Sequence, residues 1–465
     1  MKTTFENLHR SAHHLSFTFL CDDHRFETSY WYEGVDFYAL ENNFGKDFMD
    51  KIYFHIMAFE FNKSLSLAPT EIDFGKFSSL VTPAFTSLWR TIAQKVWAQW
   101  RYENNLPDYK IPEFQEKHFE LPEAPAIFLN KGKINNLVFC GGGKDSLVSL
   151  KIMEQQNIPY SVFTYSHSIY GAAQKQHDLI GTLLKKCNPG NIHRQWIYDS
   201  FMDAPVLQLN KKINIQSVTA AETPSSIFAV LPVALTEGYT NILLGHERSA
   251  NKGNLIWDKT GEDVNHQWGK SFEAEVLLNN YIQNHLITNF SFFSLLQPIY
   301  DVVIFNLLRK NIDAVPFTHS CNIEKPWCKK CAKCAYVWLN YMAYLPTKLI
   351  NDIFENTNLF DVPENEIWFK QMLGMTAHTP FECIGQVEEV RLAFEICKRK
   401  GLTGKMLDYY SDNIHLNEKE ISSIVEKYSK VYEEDIAYPA ELKEQLLAVL
   451  KEGEKMSKAY LSANL

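Results

Sequence analysis

The sequence lacks features that mark several classes of protein. No apolar run approaches the roughly 18 residues that a membrane span needs. The first residues, MKTTFENLHRSAHHLSF, have no basic start, apolar stretch or small-residue cleavage pattern of a signal peptide. Excess positive charge is missing too, because 46 Lys and Arg face 55 Asp and Glu, a net charge of -9. We therefore expect a cytoplasmic protein that binds neither nucleic acid nor a membrane.

The length predicts more than one domain. At roughly 100–200 residues per domain, 465 residues correspond to two or three. A stretch with four prolines and many charges, residues 105–130, is typical of a surface linker. We predict an N-terminal α+β domain with this linker at 1–130, a nucleotide-binding domain at 131–345 and a helical domain at 346–465. The charged end, 417–458, indicates a solvated helical face; a partner-binding helix is the alternative.

The pattern of apolar residues predicts the fold class. Residues 13–33 alternate as in a β-hairpin, and helical spacings follow around Phe48–Glu60 and Leu88–Trp100, whose tryptophans we assign to the core. Further along, apolar strand-like runs alternate with helical patterns, which predicts an α/β fold with a doubly wound parallel sheet. The predicted strands are 134–140, 160–167, 194–200 and 241–247.

The strongest chemical motif is VFCGGGKDSLVSL, residues 138–150, between a predicted strand and a predicted helix. Glycines let the backbone N–H groups approach a phosphate, and the helix offers its positive N-terminus. Asp145 is a candidate for holding Mg²⁺ or ordering the loop, and Ser146 supplies a hydroxyl. A tight turn without a ligand is the alternative. The predicted ATP-binding residues are Gly141, Gly142, Gly143, Lys144, Asp145 and Ser146.

This motif resembles the signature of the PP-loop ATP pyrophosphatase superfamily, Ser-Gly-Gly-x-Asp-Ser/Thr. Gly142, Gly143, Asp145 and Ser146 match it, whereas Gly141 stands where the family has serine. The resemblance implies an adenine-nucleotide α-hydrolase type of fold. It also implies that ATP is split between its α and β phosphates, with transfer of AMP to a carboxylate or carbonyl.

Four of the nine cysteines lie close together, at Cys321, Cys328, Cys331 and Cys334. In a chain that keeps its thiols reduced, this spacing predicts a structural Zn²⁺ site with four thiolate ligands. An iron–sulfur cluster and unliganded thiols are the alternatives. A PP-loop followed by such cysteines resembles 7-cyano-7-deazaguanine synthase, which implies a nitrile- or amide-forming activity on a nucleobase. That family leaves about 130 residues before the loop and about 120 after the zinc segment unexplained.

Other segments resemble the UDP-N-acetylmuramoyl-L-alanyl-L-glutamate epimerase family. They are LLGHERSANKGN (243–254), VNHQWGKSFEAE (264–275), FFSLLQPIYD (292–301) and GMTAHTPFECIGQVEEVR (374–391). The resemblance implies an ATP- and Mg²⁺-dependent inversion of the terminal L-glutamate of a UDP-linked muramoyl dipeptide. A third hypothesis, a non-catalytic binding module built on the zinc site, is disfavoured by the net charge and the intact phosphate loop.

Candidate groups for such an inversion follow from these segments. The residues after the strand NILLG belong at the carboxyl end of the sheet, where open α/β sheets bind ligands, and an arginine there suits a carboxylate or phosphate. A thiol with a neighbouring carboxylate suits acid–base chemistry. The predicted catalytic residues are His246, Glu247, Arg248, His266, His378, Glu382 and Cys383, with Lys252 and Lys270 as local positive charge.

Each candidate has a simpler interpretation. A single histidine is more often a hydrogen-bonded structural residue than a catalyst. For Glu247 and Arg248, the simpler interpretation is an ion pair with each other. Isolated cysteines such as Cys383 and Cys140 are usually buried small hydrophobic residues.

Overall fold

A computed structural model of the chain describes residues 1–114, 125–201 and 219–465. The strands in these ranges are β1 (Lys2–Arg10), β2 (His14–Cys21), β3 (His24–Tyr32), β4 (Glu71–Asp73), β5 (Asn136–Phe139), β6 (Ser161–His167), β7 (Ile192–Asp199), β8 (Asn241–Glu247), β9 (Leu255–Trp257), β10 (Glu262–Val264) and β11 (Ser291–Leu296).

The α-helices of the same ranges lie between Phe37 and Asn464. They are α1 (Phe37–Phe44), α2 (Lys46–Phe61), α3 (Pro83–Val96), α4 (Ala98–Glu103), α5 (Lys144–Gln155), α6 (Ala173–Leu184), α7 (Glu222–Ala229), α8 (Leu231–Glu237), α9 (Phe272–His285), α10 (Asp301–Leu308), α11 (Ala332–Tyr344), α12 (Thr347–Ile353), α13 (Asn365–Met372), α14 (Val387–Arg399), α15 (Lys405–Asn413), α16 (Glu418–Ser429) and α17 (Ala440–Asn464).

A nine-stranded sheet organises the described part of the protein, in the order β11-β8-β5-β6-β7-β3-β2-β1-β4. The five strands from β11 to β7 are parallel. Numbered along the chain, these five have the order 3-2-1-4-5, and the order reverses between β5 and β8. In open α/β sheets, ligands bind at the carboxyl ends of the strands beside this reversal.

The parallel strands are buried on both faces. Alternate residues point to opposite sides of a strand. Val138 and Leu243 belong to one hydrophobic core, whereas Leu137 and Ile242 belong to the other. The predicted α/β class is therefore confirmed, with helices packed on both sides of the sheet.

The sheet is mostly parallel, as predicted, but it also includes antiparallel N-terminal strands that we assigned to a separate domain. The predicted hairpin at 13–33 forms as β2 and β3, but β3 then pairs antiparallel with β7 and extends the same sheet. Tyr30 and Tyr32 of β3 point into the core shared with Leu137, so the N-terminal strands are held by packing as well as by hydrogen bonds. The sequence shows the hairpin locally but not this distant partner. The domain boundaries at 130 and 345 stay predictions.

The helical regions agree with their sequence patterns. Trp89, Trp97 and Trp100 are fully buried, as predicted for core residues. In the charged C-terminal segment, Ile421 and Leu446 are buried while the charged side chains face outward, which supports the solvated-face interpretation. No helix of the described ranges is both long and apolar enough to cross a membrane.

The proline-rich linker is described only at its ends, because residues 115–124 lie outside the described residues. Phe114 packs at the edge of Trp89, and Ile127 forms an isolated β-bridge with Ile287. Leu129 is buried. Both described ends are therefore packed against the protein, more closely than a surface linker requires.

Candidate active site

The glycine loop forms a tight turn at the carboxyl end of β5. Gly142 has φ of +84°, and a methyl group on it would lie 2.1 Å from Cε1 of His319. The His319 N–H donates to the Gly142 carbonyl at 2.9 Å, and the Gly141 N–H donates to Ser146 Oγ at 3.1 Å. Glycine at 142 is therefore required by both backbone conformation and space. Burial, with a smaller contribution from Lys325, lowers the pKa of His319 to about 4, so its ring is neutral.

Lys144 points into the protein, contrary to the orientation that phosphate binding by its side chain requires. Its ammonium is buried and donates to Asp145 at 2.6 Å and to Asp301 at 2.5 Å. Tyr336 donates to the second oxygen of Asp301 at 2.6 Å. The lysine thus ties the start of α5 to the start of α10, and Asp145, with about a third of its side chain exposed, stays beside the loop.

Two buried glutamates lie next to this ion pair. Burial, followed by repulsion from Asp301 and from Glu389, raises the pKa of Glu247. Burial and Asp301 likewise raise the pKa of Glu389 to about 8. Ser249 binds both glutamates, through its N–H to Glu247 and its hydroxyl to Glu389. Glu247 was predicted as a site residue, whereas the sequence marks Glu389 only as part of a helix-capping pattern, QVEE.

One cavity of about 780 Å³ joins the glycine loop to most of the predicted inversion residues. Gly141 and His319 line it beside the loop. The predicted residues that also line it are His266, Lys270, His378, Glu382 and Cys383. Residues as far from Gly141 in sequence as His266 and Cys383 are thereby brought to one space, as expected for a single active site.

Cys383 is held in a strongly polar environment. Lys270 Nζ donates to its Sγ at 2.8 Å, and the Lys333 ammonium donates to its carbonyl. Burial alone would raise the pKa of this thiol, but the charge of Lys270 and a hydrogen bond with His266 outweigh burial and lower the pKa to about 6. Cys383 is therefore mainly a thiolate at neutral pH, the form that accepts protons and attacks electrophiles.

His266 completes this group. Its Nδ1 lies 2.6 Å from Oε1 of Gln99, an acceptor, so Nδ1 carries a proton. Burial lowers the pKa of His266, but the neighbouring Cys383 raises it above the usual value overall. His266, Glu382 and Cys383 present three potential metal ligands within 4.8 Å of one another. The Lys270 ammonium bound to Cys383 already supplies the positive charge there, which favours an acid–base group over a metal site.

The other predicted residues lie outside this group. Arg248 stacks on the ring of Tyr432 and contacts the carboxylates of Glu434 and Asp435 at 3.3 Å, so it does not pair with Glu247. His246 Nδ1 lies 3.2 Å from Ser294 Oγ, and burial, then the charge of Lys270, lowers its pKa.

His378 reaches the cavity, but its contacts are those of a packed ring. It stacks on Phe381 with ring centroids 4.8 Å apart, and its Nδ1 lies 2.8 Å from the Thr379 carbonyl. Lys252 is half-buried, and burial, then the charge of Lys427, lowers its pKa. Among the described residues that line the cavity, Lys252 is absent.

Sequence reasoning missed a carboxylate in the cavity wall. Glu222, the first residue of α7, accepts hydrogen bonds from Tyr165 at 2.8 Å and from Tyr170 at 2.5 Å. All three line the cavity. No motif surrounds Glu222 in the sequence, and only the end of β6 brings the tyrosines to it.

The four clustered cysteines have the geometry of a tetrahedral metal site. Their sulfur atoms all lie within 4.8 Å of one another, with Cys321 and Cys331 at 3.9 Å and Cys328 and Cys334 at 3.8 Å. Zn–S bonds of about 2.3 Å in a tetrahedron put the sulfurs about 3.8 Å apart. These residues therefore fit Zn²⁺.

The cysteine segment also supports the cavity. His319, two residues before Cys321, fixes Gly142, and Lys333, beside Cys334, binds the Cys383 carbonyl. Asn322 donates to Glu382 at 3.4 Å. A metal at this cluster would hold both the glycine loop and the Cys383 segment in place.

We expect the purified protein to contain about one zinc per chain, because all four ligand positions are supplied by thiolates. Elemental analysis checks this. Removal of the zinc by a chelator should loosen the cavity and accelerate alkylation of Cys328 and Cys331. Iron with visible absorption in place of zinc would overturn the zinc prediction.

The chain matches two family models. The first, described as the MurL N-terminal domain, matches residues 15–185 and 210–295. The second, described as the MurL C-terminal domain, matches residues 316–407. Together these matches include the glycine loop, the cysteine cluster and Cys383.

Curated relatives carry the name UDP-N-acetyl-alpha-D-muramoyl-L-alanyl-L-glutamate epimerase. One from Salinispora tropica is 28% identical over 324 residues, 68% of this chain and 66% of the relative. One from Micromonospora sp. is 28% identical over 343 residues, 69% and 67% of the two chains. One from Xanthomonas oryzae pv. oryzae is 29% identical over 310 residues, 64% of each. The chain thus spans about two thirds of the length of these relatives, or slightly less.

Proposed function

The chain belongs to the MurL family, and on this premise we propose that it is an ATP-dependent epimerase of peptidoglycan precursor synthesis. Its proposed substrate, UDP-MurNAc-L-Ala-L-Glu, follows from the names of the relatives. The proposed reaction inverts the terminal L-glutamate to D-glutamate and releases AMP and pyrophosphate. The proposed fold is that of the adenine-nucleotide α-hydrolases, with a structural zinc segment.

The chemistry explains why such an inversion needs activation. Removing the α-proton of a carboxylate places a second negative charge beside the first. ATP would supply an adenylate leaving group that neutralises the α-carboxylate, so that the carbonyl oxygen accepts the developing charge. A base can then remove the proton and an acid can return one to the opposite face.

The observation that carries this proposal is the shared cavity. Gly141 of the glycine loop and the Cys383–His266–Lys270 group line the same space of about 780 Å³. An ATP phosphate chain at the N-terminus of α5 would lie beside Gly141, at the edge of the cavity that also holds the acid–base group. A protein that only binds ATP would not need the Cys383 thiolate, which Lys270 and His266 stabilise, in the same cavity.

The residues present suit ATP and Mg²⁺ in distinct ways. Gly141 of the glycine loop lines the cavity just before the N-terminus of α5, and Ser146 orders the turn. Asp145 is the carboxylate we propose for Mg²⁺. Lys144 would act indirectly, by holding Asp145 and Asp301. Cys383 and His266 would exchange a proton with the α-carbon, and Lys270 would keep the thiol ionised.

The test is incubation with UDP-MurNAc-L-Ala-L-Glu, ATP and Mg²⁺ in deuterated water. We expect AMP, pyrophosphate and a D-glutamyl product with deuterium at the α-carbon, measured by mass spectrometry after chiral analysis. Deuterium enters because the returned proton comes from a group that exchanges with solvent.

Two results would contradict the proposal. AMP formation without deuterium at the α-carbon would indicate adenylation or ligation only. Ammonia-dependent turnover of 7-carboxy-7-deazaguanine would favour the deazaguanine synthase alternative. A matched control is Lys95→Met, which removes an exposed lysine paired with Glu273 and should leave turnover unchanged.

A further inference from the structure

Inversion at a carbon requires proton transfer at two opposite faces. Lys270 and His266 both hydrogen-bond to the sulfur of Cys383. The three residues therefore present one group to the substrate. A group of this size on one wall reaches one face of a bound α-carbon. The second face needs a proton-transfer residue from another part of the cavity.

Glu222 lines that cavity from α7, a helix that holds none of these three residues. It is the first residue of α7, and its two oxygens accept hydrogen bonds from Tyr165 in β6 and from Tyr170 just after β6. Burial, then the charge of Glu222, raises the pKa of Tyr165 and Tyr170, so that both remain donors. The two hydroxyls fix the direction of the carboxyl group.

Glu222 also faces the positive side of the cavity. The charges of Lys270 and Lys325 both interact with it. Among the described residues that line the cavity, the carboxylates are Glu103, Glu222 and Glu382. Glu382 binds the backbone N–H of Cys383 and so belongs to the first group, whereas Glu222 belongs to neither that group nor the glycine loop.

We propose that Glu222 is the second proton-transfer residue of the reaction, acting on the face of the α-carbon opposite to Cys383 and His266. The inference rests on the proposed epimerase function. In one direction the Glu222 carboxylate accepts the α-proton, and the electrons of the C–H bond move into the activated carbonyl. The His266 imidazolium beside Cys383 then donates a proton to the other face, and those electrons form the new C–H bond.

The reverse direction uses the same groups in exchanged roles. Protonated Glu222 donates, and the Cys383–His266 pair accepts. Each group returns to its starting state by exchanging one proton with water, so no other reactant is needed.

The test compares inversion with α-proton exchange in Glu222→Gln, a change that keeps the size of the side chain and one of its two acceptor oxygens. Each epimer is incubated separately with ATP and Mg²⁺ in deuterated water. We expect inversion to fall by about 100-fold or more, while one epimer still exchanges its α-proton without inverting. Cys383→Ala should show the complementary pattern, with exchange of the other epimer only.

The outcomes separate this inference from the proposed function. Inversion within about threefold of wild type in Glu222→Gln, or loss of exchange from both epimers with AMP formation intact, overturns the role of Glu222. Tyr170→Phe, which removes one donor but keeps the carboxylate, should reduce inversion less than Glu222→Gln does. A wild-type protein that forms neither AMP nor exchanged substrate contradicts the proposed function itself.

Discussion

Replacing Lys270 with methionine is expected to raise the pKa of Cys383 from about 6 to 8.5 or above. The variant removes the ammonium that lies 2.8 Å from the sulfur, while burial, which raises the pKa, remains. At pH 7 the thiolate fraction should fall by about 30-fold. Alkylation of Cys383 by iodoacetamide, followed by mass spectrometry, should slow by a similar factor, and epimerisation should fall by about 100-fold or more.

The pH dependence of Cys383 alkylation also tests this prediction. In the unaltered protein the alkylation rate should rise as the pH passes about 6, whereas in the variant it should rise only at higher pH. The other described cysteines outside the metal cluster provide an internal reference, since burial raises the pKa of Cys140 to about 11 and that of Cys397 to about 12. Equal labelling of Cys383 in the Lys270→Met and Lys95→Met variants would contradict the role of Lys270.

Replacing Lys144 with methionine is expected to destabilise the protein by about 3–5 kcal/mol, because one partner of a buried ion pair is removed while the other stays. Among the side chains that the structure describes, Tyr336 would remain as the donor to Asp301. Nearby, the pKa of Glu247 is already raised, by burial first, and Lys144 opposes that rise. Urea unfolding should show a lower midpoint.

The loss should grow as the pH rises above the pKa that Glu247 has in the folded wild-type protein, which lies well above its usual value. Without Lys144 the pKa of Glu247 in the folded state rises further above its unfolded value, so the native state binds more protons and loses stability as the pH increases. Lys151→Met on the same helix is the matched control. It removes a more exposed pair with Glu154 and should cost about 1 kcal/mol or less. Equal midpoints for the two variants would show that the buried pair contributes little.

The parallel strands were predictable because they carry local signals. β5, β6, β7 and β8 lie within a few residues of their predicted ranges, since each is a short apolar run between turn residues. The short strands β9 and β10 have no such run, and β11 lies in a segment whose apolar residues suit helix and strand alike. Pairing of β3 with β7 depends on a contact between residues about 170 positions apart. No local pattern encodes that contact.

The candidate site was predictable where chemistry and resemblance coincide. His266 and Lys270 were singled out from one segment and Cys383 from another, and the cavity brings the three together. The direction of a side chain was not predictable, because it depends on tertiary partners. Lys144 points toward Asp301, and Arg248 toward Glu434, although both were expected to face a ligand. Glu222 has no motif, and its significance arises from the two tyrosines that bind it.

The pairing of β3 with β7 also connects β3 with the strand that ends at the glycine loop. β7 pairs with β3 on one edge and with β6 on the other, and β6 pairs with β5, which ends at the glycine loop. A change in the length or twist of β3 is therefore transmitted across two strands to the loop. Although β3 contributes no residue to the cavity as described, substitutions in β3 are expected to affect the position of the glycine loop.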